Sequence, residues 1–236
     1  MLRVLVTGAS RGLGFELTNQ FLAQGNRVFA GCRTPTSATR LQSLANAYSG
    51  QLSILQQDVT DPRSVDSSYA YVKRSAGALD LLINNAGTFP GGFPNGDSLR
   101  DLNRDDLIQT LHVNAVGPIM VAKSFLDLLR TGDRPKIINI SSDAGSLQNK
   151  TEGGYYCYCC SKAALNMLTR TLANDLRGDG IIVVAVHPGW VQTDMGGKNA
   201  KLTIPESVRH LIRLINALTQ DDTGQFYSYD GSRYPW

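Results

Sequence analysis

Tyr158 and Lys162 stand four residues apart, a spacing that puts a phenol and an ammonium on adjoining turns of one helix face. A free tyrosine titrates near pKa ~10. A cation held beside it favours the phenolate and brings its proton into a range useful for transfer to a substrate oxygen. Tyr155 and Tyr156 precede the pair, but only Tyr158 has a lysine one turn on, so the other two are expected to line or pack a pocket. Such a pair recurs by chance on many helices, and its meaning depends on what the rest of the chain brings to it.

A second cluster is Thr7-Gly8-Ala9-Ser10-Arg11-Gly12-Leu13-Gly14, which follows the apolar run Leu2 to Val6 and leads into Phe15-Glu16-Leu17. Glycines let the backbone turn tightly and approach a pyrophosphate, and a helix N-terminus adds unpaired N–H groups and a favourable dipole. Three residues separate Gly8 from Gly12, so the spacing departs from the G-x-G-x-x-G fingerprint while serving the same end. At Gly31-Cys32-Arg33 no carboxylate is present to hold a ribose 2′-hydroxyl, as an NAD site usually requires. Arg11 and Arg33 instead offer guanidiniums suited to a 2′-phosphate, so NADP is expected rather than NAD. Asp58, in Gln57-Asp58-Val59, is placed to accept from the adenine amino group, leaving Thr60 or Asp61 to cap the helix that opens at Pro62.

These residues need a frame. β-branched apolar runs alternate with segments of helical period, the pattern of a parallel sheet with crossover helices. Strands are expected at Arg3 to Thr7, Arg27 to Cys32, Leu52 to Gln56, Leu79 to Asn84, Lys136 to Ser141, Ile181 to His187 and Gln225 to Ser228. Helices are expected at Gly12 to Ala23, Thr36 to Tyr48, Pro62 to Arg74, Arg104 to Leu129, Gly154 to Leu176 and Pro205 to Ala217. The fold class is therefore α/β: a Rossmann-type, doubly wound, seven-stranded parallel sheet with helices on both faces, in a single domain over residues 1–236. Thr88 to Asn103 and Gly189 to Thr203 read as irregular segments that follow strands, where ligands bind in such sheets.

The chain has 236 residues, 42% hydrophobic and 18% charged, a composition that fits a globular domain and argues against extended disorder. A net charge of +3 without a basic run excludes a nucleic-acid footprint. The N-terminus has no signal-like leader and no apolar stretch reaches the ~20 residues of a membrane span, so a cytoplasmic location is expected. Cys32, Cys157, Cys159 and Cys160 lack the paired spacing of a metal site and are expected to pack as reduced thiols. His112, His187 and His210 are read as structural. Asp143 and Asp194 fall where turn hydrogen bonding is the simplest role.

Taken in order, these pieces resemble the classical short-chain dehydrogenase/reductase family over essentially the whole chain. Thr7 to Gly14 is similar to its cofactor loop, Asn84-Asn85-Ala86-Gly87 to its motif after the fourth strand, and Tyr158-Cys159-Cys160-Ser161-Lys162 to its Tyr-x-x-x-Lys motif. Asn114 matches its helix-borne asparagine, Ser142 its serine, and Pro188-Gly189 its turn after the sixth strand. Val28 to Arg33, His187 to Met195 and the closing Gly224-Gln225-Phe226, Asp230-Gly231 and Pro235-Trp236 look most like carbonyl reductases of the sniffer and C-factor-like type.

The resemblance implies a catalytic set of Asn114, Ser142, Tyr158 and Lys162. Ser142 would orient a substrate carbonyl and Tyr158 protonate it. Lys162 would lower the tyrosine pKa and hold the nicotinamide ribose, and Asn114 would support a proton-relay water. Cofactor contacts are implied at Gly8, Ser10, Arg11, Gly12, Leu13, Gly14, Arg33, Asp58, Val59, Asn85, Ala86, Gly87, Tyr158, Lys162, Pro188, Gly189, Val191 and Thr193, with no metal. Ser142 stands further from the tyrosine than the family's usual interval, with Thr151 to Gly154 as the extra length. Ser141 is adjacent but is expected to face the other way. The expected activity is NADPH-dependent reduction of an aldehyde or ketone. The alternatives are a steroid or secondary-alcohol dehydrogenase and an NADP-binding signalling protein with little turnover. Dimers or tetramers through the helices at Arg104 to Leu129 and Gly154 to Leu176 are implied, with a dimer preferred.

Overall fold

The strand Arg3–Val6 (β1) buries Val4 and Val6 in one apolar layer and Leu5 in another. Burial of both faces is what an interior strand of a parallel sheet demands, because its crossover helices cover both sides. The computed structural model, which describes residues 1–93 and 95–236, builds this pattern into one sheet. Its further strands are Arg27–Cys32 (β2), Leu52–Gln56 (β3), Leu81–Asn84 (β4), Lys136–Ile140 (β5), Ile182–His187 (β6) and Phe226–Ser228 (β7). They lie in the order β3-β2-β1-β4-β5-β6-β7, every pair parallel. All seven expected strands are present. β4 starts two residues late because Leu79 donates its N–H to Leu128 (2.8 Å) instead of to a neighbouring strand.

The helices are Gly12–Ala23 (α1), Thr39–Ala47 (α2), Pro62–Ala76 (α3), Arg104–Leu111 (α4), Gly117–Ser124 (α5), Leu126–Arg130 (α6), Tyr156–Asp175 (α7) and Ile204–Ala217 (α8). One layer packs Leu17 and Phe21 of α1, Leu41 of α2 and Leu211 and Ile215 of α8 against the sheet. The other packs Val72 of α3, Val121 of α5, Phe125 between α5 and α6, and Ala173 of α7. At the start of α8, Thr203 and Glu206 satisfy each other's backbone N–H groups, a reciprocal cap that fixes where the Gly189 to Thr203 segment ends.

The single helix expected over Arg104 to Leu129 is broken. His112–Val116 forms a π-helical turn between α4 and α5, and a second break falls at Phe125. Pro118 explains the first, since it has no N–H to donate one turn back and its ring crowds the preceding carbonyls, and a widened turn absorbs the mismatch. The expected helix from Gly154 begins instead at Tyr156, because Tyr155 adopts a left-handed conformation with φ of 57°. A 3-10 turn at Pro35–Ser37 likewise delays α2 to Thr39.

One ion pair ties the bottom of the sheet. Asp80 is 3% exposed and accepts from the backbone N–H, Nε and Nη2 of Arg3 at 2.7, 2.8 and 2.6 Å, and from the N–H of Asp133 at 2.7 Å. Burial disfavours its charge, but these hydrogen bonds and the adjacent guanidinium outweigh burial and hold the carboxyl below its usual range. The stabilisation is therefore complete above the unfolded carboxylate pKa of ~3.9 and disappears as pH falls through the lower folded value. Asp80→Ala is expected to cost about 3 kcal/mol at neutral pH, because it strands several donors and a charge. Urea unfolding checks this: the gap from wild type should shrink as the solution is acidified, and a gap independent of pH would contradict the assignment.

Candidate active site

The strand order reverses between β1 and β4, and the segments leaving these two strands are stapled together. Thr7 Oγ1 accepts from the N–H groups of Asn85 and Ala86, both at 3.0 Å, while Asn85 Nδ2 donates to the carbonyls of Thr7 and Gly8 at 2.9 and 3.1 Å. Gly8 has φ of +65°, and a Cβ there would fall 2.8 Å from the Ala86 Cα. Gly14 is required for another reason: a Cβ would sit 2.3 Å from the Gly8 carbonyl oxygen, so its absence lets α1 pack against the loop.

A cleft of ≈ 1000 Å³ opens above this junction. It is lined by Gly8, Ser10, Arg11, Gly12, Leu13, Arg33, Asp58, Val59, Asn85, Ala86, Gly87, Ser142, Tyr158, Lys162, Pro188, Gly189, Val191 and Thr193. Of the residues expected at the site, Gly14 and Asn114 alone are missing from this lining. Gly14 stands behind the glycine loop, and Asn114 is 1% exposed.

At one end lie Cys32, Arg33, Gln57, Asp58 and Val59. Burial raises the Asp58 pKa, but hydrogen bonds from the Thr60 hydroxyl (2.7 Å) and N–H (2.9 Å) to Oδ1 more than reverse this and keep it ionised. Asp61, rather than Thr60, caps α3 through the Arg63 N–H. The Gln57 side-chain amide finds no partner among the described residues although Gln57 is 3% exposed, leaving a donor and an acceptor at the cleft wall. A smaller basic pocket beside it joins Ser10, Arg11, Arg33 and Arg40. Sequence reasoning missed Arg40, whose guanidinium lies 4.0 Å from the Phe15 ring centroid; only the fold carries it back to the glycine loop. Arg11 pairs at 3.2 Å with Asp194, both well exposed, so Asp194 spans the cleft instead of serving its own turn.

At the other end Ser142, Tyr158 and Lys162 converge. Ser142 Oγ donates to Asp143 Oδ1 (2.8 Å) and accepts from the Ala144 N–H (3.2 Å). Ser141 faces away as expected and donates to Asn166 of α7 at 2.6 Å. Asp143 also accepts from Ala144 and gives its own N–H to His187 Nδ1 at 3.1 Å. His187 is thus a neutral acceptor, and its burial lowers its pKa.

Lys162 Nζ donates to the Ile140 carbonyl at 2.8 Å and lies 5.6 Å from the Tyr158 ring centroid. Burial lowers its pKa to about 8. The Tyr158 phenol departs from expectation: burial pushes it up to about 12, only partly opposed by a hydrogen bond with Ser142. Desolvation acts against the phenolate here more strongly than the Ser142 hydrogen bond acts for it, and Asp143 and Cys159 add to the rise. The hydroxyl is consequently protonated throughout the neutral range, the state a proton donor needs.

Asn114 occupies the π turn, accepts from the Thr88 N–H (2.8 Å) and donates to the Thr88 carbonyl (2.8 Å) and Ser161 Oγ (2.9 Å). Both amide hydrogens are committed, leaving one Oδ1 lone pair for any water. The asparagine therefore joins the segment after β4 to α7. That segment and the one after β6 meet where Phe93 donates its N–H to the Met195 carbonyl at 3.3 Å. Pro94, within the irregular segment expected from Thr88 to Asn103, lies outside the described residues. Phe89, Phe93, Tyr155 and Trp190 line this part of the cleft. Phe89 falls in the irregular segment expected to bind a ligand but was not singled out there; an aromatic residue in a Gly- and Pro-rich segment after a strand is the signal that could have marked it. Among the described residues no group of three or more His, Cys, Asp or Glu side chains could hold a metal. No helix among them is long and apolar enough to cross a membrane.

A parallel sheet of this order, with a glycine loop at its reversal point and a Ser-Tyr-Lys set at the same edge, defines the class as a Rossmann-type α/β protein. The chain belongs to the short chain dehydrogenase family, whose model matches residues 3–202, and is an oxidoreductase of that family. It is similar to the NADPH-bound carbonyl reductase from chicken fatty liver, with 37% identity, a TM-score of 0.93 and coverage of 100% of this chain and 99% of that one. The carbonyl reductase Sniffer of D. melanogaster gives 35% identity and a TM-score of 0.94 with both chains fully covered. C-signal of Myxococcus xanthus is 44% identical over 160 residues, 68% of this chain and 94% of that protein.

Proposed function

We propose that the chain is a single NADP-binding domain that reduces the carbonyl of an aldehyde or ketone with NADPH, Tyr158 donating the proton. The observation carrying this reading is one cleft with Ser142, Tyr158 and Lys162 at one end and Arg11 and Arg33 at the other, where a smaller basic pocket adds Arg40. The residues present fit the cofactor. The glycine cradle and the α1 N-terminus suit a pyrophosphate, the guanidiniums a 2′-phosphate, and the unpartnered Gln57 amide a polar base. The NADPH-bound carbonyl reductase among its similar structures, and a short-chain dehydrogenase/reductase from Burkholderia multivorans with bound NADP, support the choice.

NADPH, when bound, supplies the hydride. Ser142 orients the substrate oxygen by turning its hydroxyl hydrogen from Asp143 to that oxygen, and Tyr158 gives up its proton as the oxygen gains charge. Lys162 would hold the ribose hydroxyls of the bound cofactor and would stabilise the phenolate left behind. In the reverse direction Tyr158 is the base. Ile108, Val116, Met120 and Met167 are exposed on α4, the π turn, α5 and α7, in keeping with a homodimer built on these helices.

A panel of apolar aldehydes and ketones, with NADPH consumption followed optically and secondary alcohols assayed with NADP, tests the reading. Turnover of a carbonyl substrate is expected, and preference for alcohols would favour a secondary-alcohol dehydrogenase. Retained NADPH binding with no turnover across the panel would overturn the reading in favour of an NADP-binding signalling protein, the alternative that the similarity to C-signal favours.

A further inference from the structure

We propose that Phe89 is a positioning residue for the proton donor, its ring holding the Tyr158 phenol toward Ser142 and keeping water from it. The Phe89 and Tyr158 rings lie nearly parallel, with centroids 4.4 Å apart and planes 18° from each other. Stacking of this kind restrains a ring in both tilt and position. Phe89 is itself braced. Tyr155 packs against it at 5.9 Å, Phe93 stacks on Tyr155 at 6.5 Å, and Phe93 meets Trp190 edge-on at 5.2 Å. Its backbone is anchored too, because Asn114 binds both the N–H and the carbonyl of the preceding Thr88. The row of rings thus runs from the segment after β6, across the segment after β4, to the phenol on α7.

The charged and titratable groups around Tyr158 come from elsewhere. Asp143, after β5, and Cys159, on α7, oppose the phenolate, Ser142 favours it, and Lys162 lies beside the ring. Asp97, on the same segment as Phe89, is turned to the start of α7: its carbonyl accepts from the Tyr155 N–H (2.8 Å) and its Oδ2 from the Cys157 N–H (3.2 Å). Phe89 brings no charge, so its effect on the phenol is one of water exclusion and orientation. Both work in the same direction: a shielded, fixed hydroxyl remains protonated and aimed.

This inference rests on the reductase reading for its kinetic consequence but not for its spectroscopic one. Tyr158 ionisation is read directly as the phenolate absorbance of the protein minus that of its Tyr158→Phe counterpart, across alkaline pH. In Phe89→Ala the midpoint is expected to fall by about one pH unit as water reaches the phenol. With saturating NADPH and a carbonyl substrate, the alkaline limb of kcat should move down with it and kcat should drop about tenfold, the KM for NADPH holding steady. Phe89→Trp, which keeps a flat cover, should restore both readouts. Phe89→Leu, apolar but not flat, should retain the loss of kcat and serves if the alanine variant proves unstable. A Tyr158 titration unchanged in Phe89→Ala, or Phe89→Trp behaving like alanine, overturns the proposal. If the titration moves while no carbonyl is turned over even by wild type, the reductase reading fails and the hold of Phe89 on Tyr158 stands.

Discussion

Tyr158→Phe is expected to bind NADPH as wild type does and to lose carbonyl reduction by about a thousandfold, within the range that a positioned general acid contributes. The substitution removes one oxygen and leaves the ring, so the stack on Phe89 and the course of α7 survive. Ser142 is poorly suited to take over, because an aliphatic hydroxyl gives up its proton far less readily than a phenol. The ammonium of Lys162 is tied to the Ile140 carbonyl. The pH dependence follows from the raised phenol. Reduction requires the protonated form, so wild-type turnover should hold through neutrality and decline only as pH climbs toward about 12. Stopped-flow turnover beside fluorescence titration of NADPH separates chemistry from binding. Unchanged NADPH oxidation in the variant would remove Tyr158 from the role.

Arg33→Ala should weaken NADPH by about ten- to a hundredfold while changing NADH little, the worth of one charge-assisted hydrogen bond of about 1.5–3 kcal/mol. Arg33 belongs both to the main cleft and to the basic pocket beside it, and its charge is felt at Asp58. Arg11 is the weaker candidate for this effect, since Asp194 competes for its guanidinium. Binding titrations with both nucleotides decide the matter. Equal loss for the two would mean that Arg33 supports the adenosine pocket generally and does not read the 2′-phosphate.

Much of this molecule was legible in its chain because parallel sheets write themselves locally. Strands such as Val28-Phe29-Ala30-Gly31 are apolar on both faces, and the helix between two of them must carry a periodic apolar stripe, so strand count and order of elements follow from neighbouring residues. The glycine loop is similarly local: Gly8 and Gly12 take positive φ within a few residues of where the pattern places them. The breaks were less legible. Pro118 is a local signal of a break that the expected helix over Arg104 to Leu129 passed over, and nothing local says that the chain resolves it as a π turn around Asn114. Tyr155 in a left-handed conformation is outside any residue preference and is held by the Asp97 carbonyl, 58 positions earlier by residue number.

The chain by itself determined which residue types meet along each element: Tyr158 and Lys162 one turn apart, Ser142 at a strand end, glycines before α1, arginines after β1 and β2. Only the tertiary structure decided the acidity of the phenol. A cation four residues away predicts a lowered pKa, whereas the folded molecule half-buries the ring in the cleft wall and the desolvation raises it. The physical reason is that spacing along a helix is set by backbone geometry, while desolvation is set by everything that closes over a group. For Tyr158 that cover includes Phe89, brought from a different crossover of the sheet.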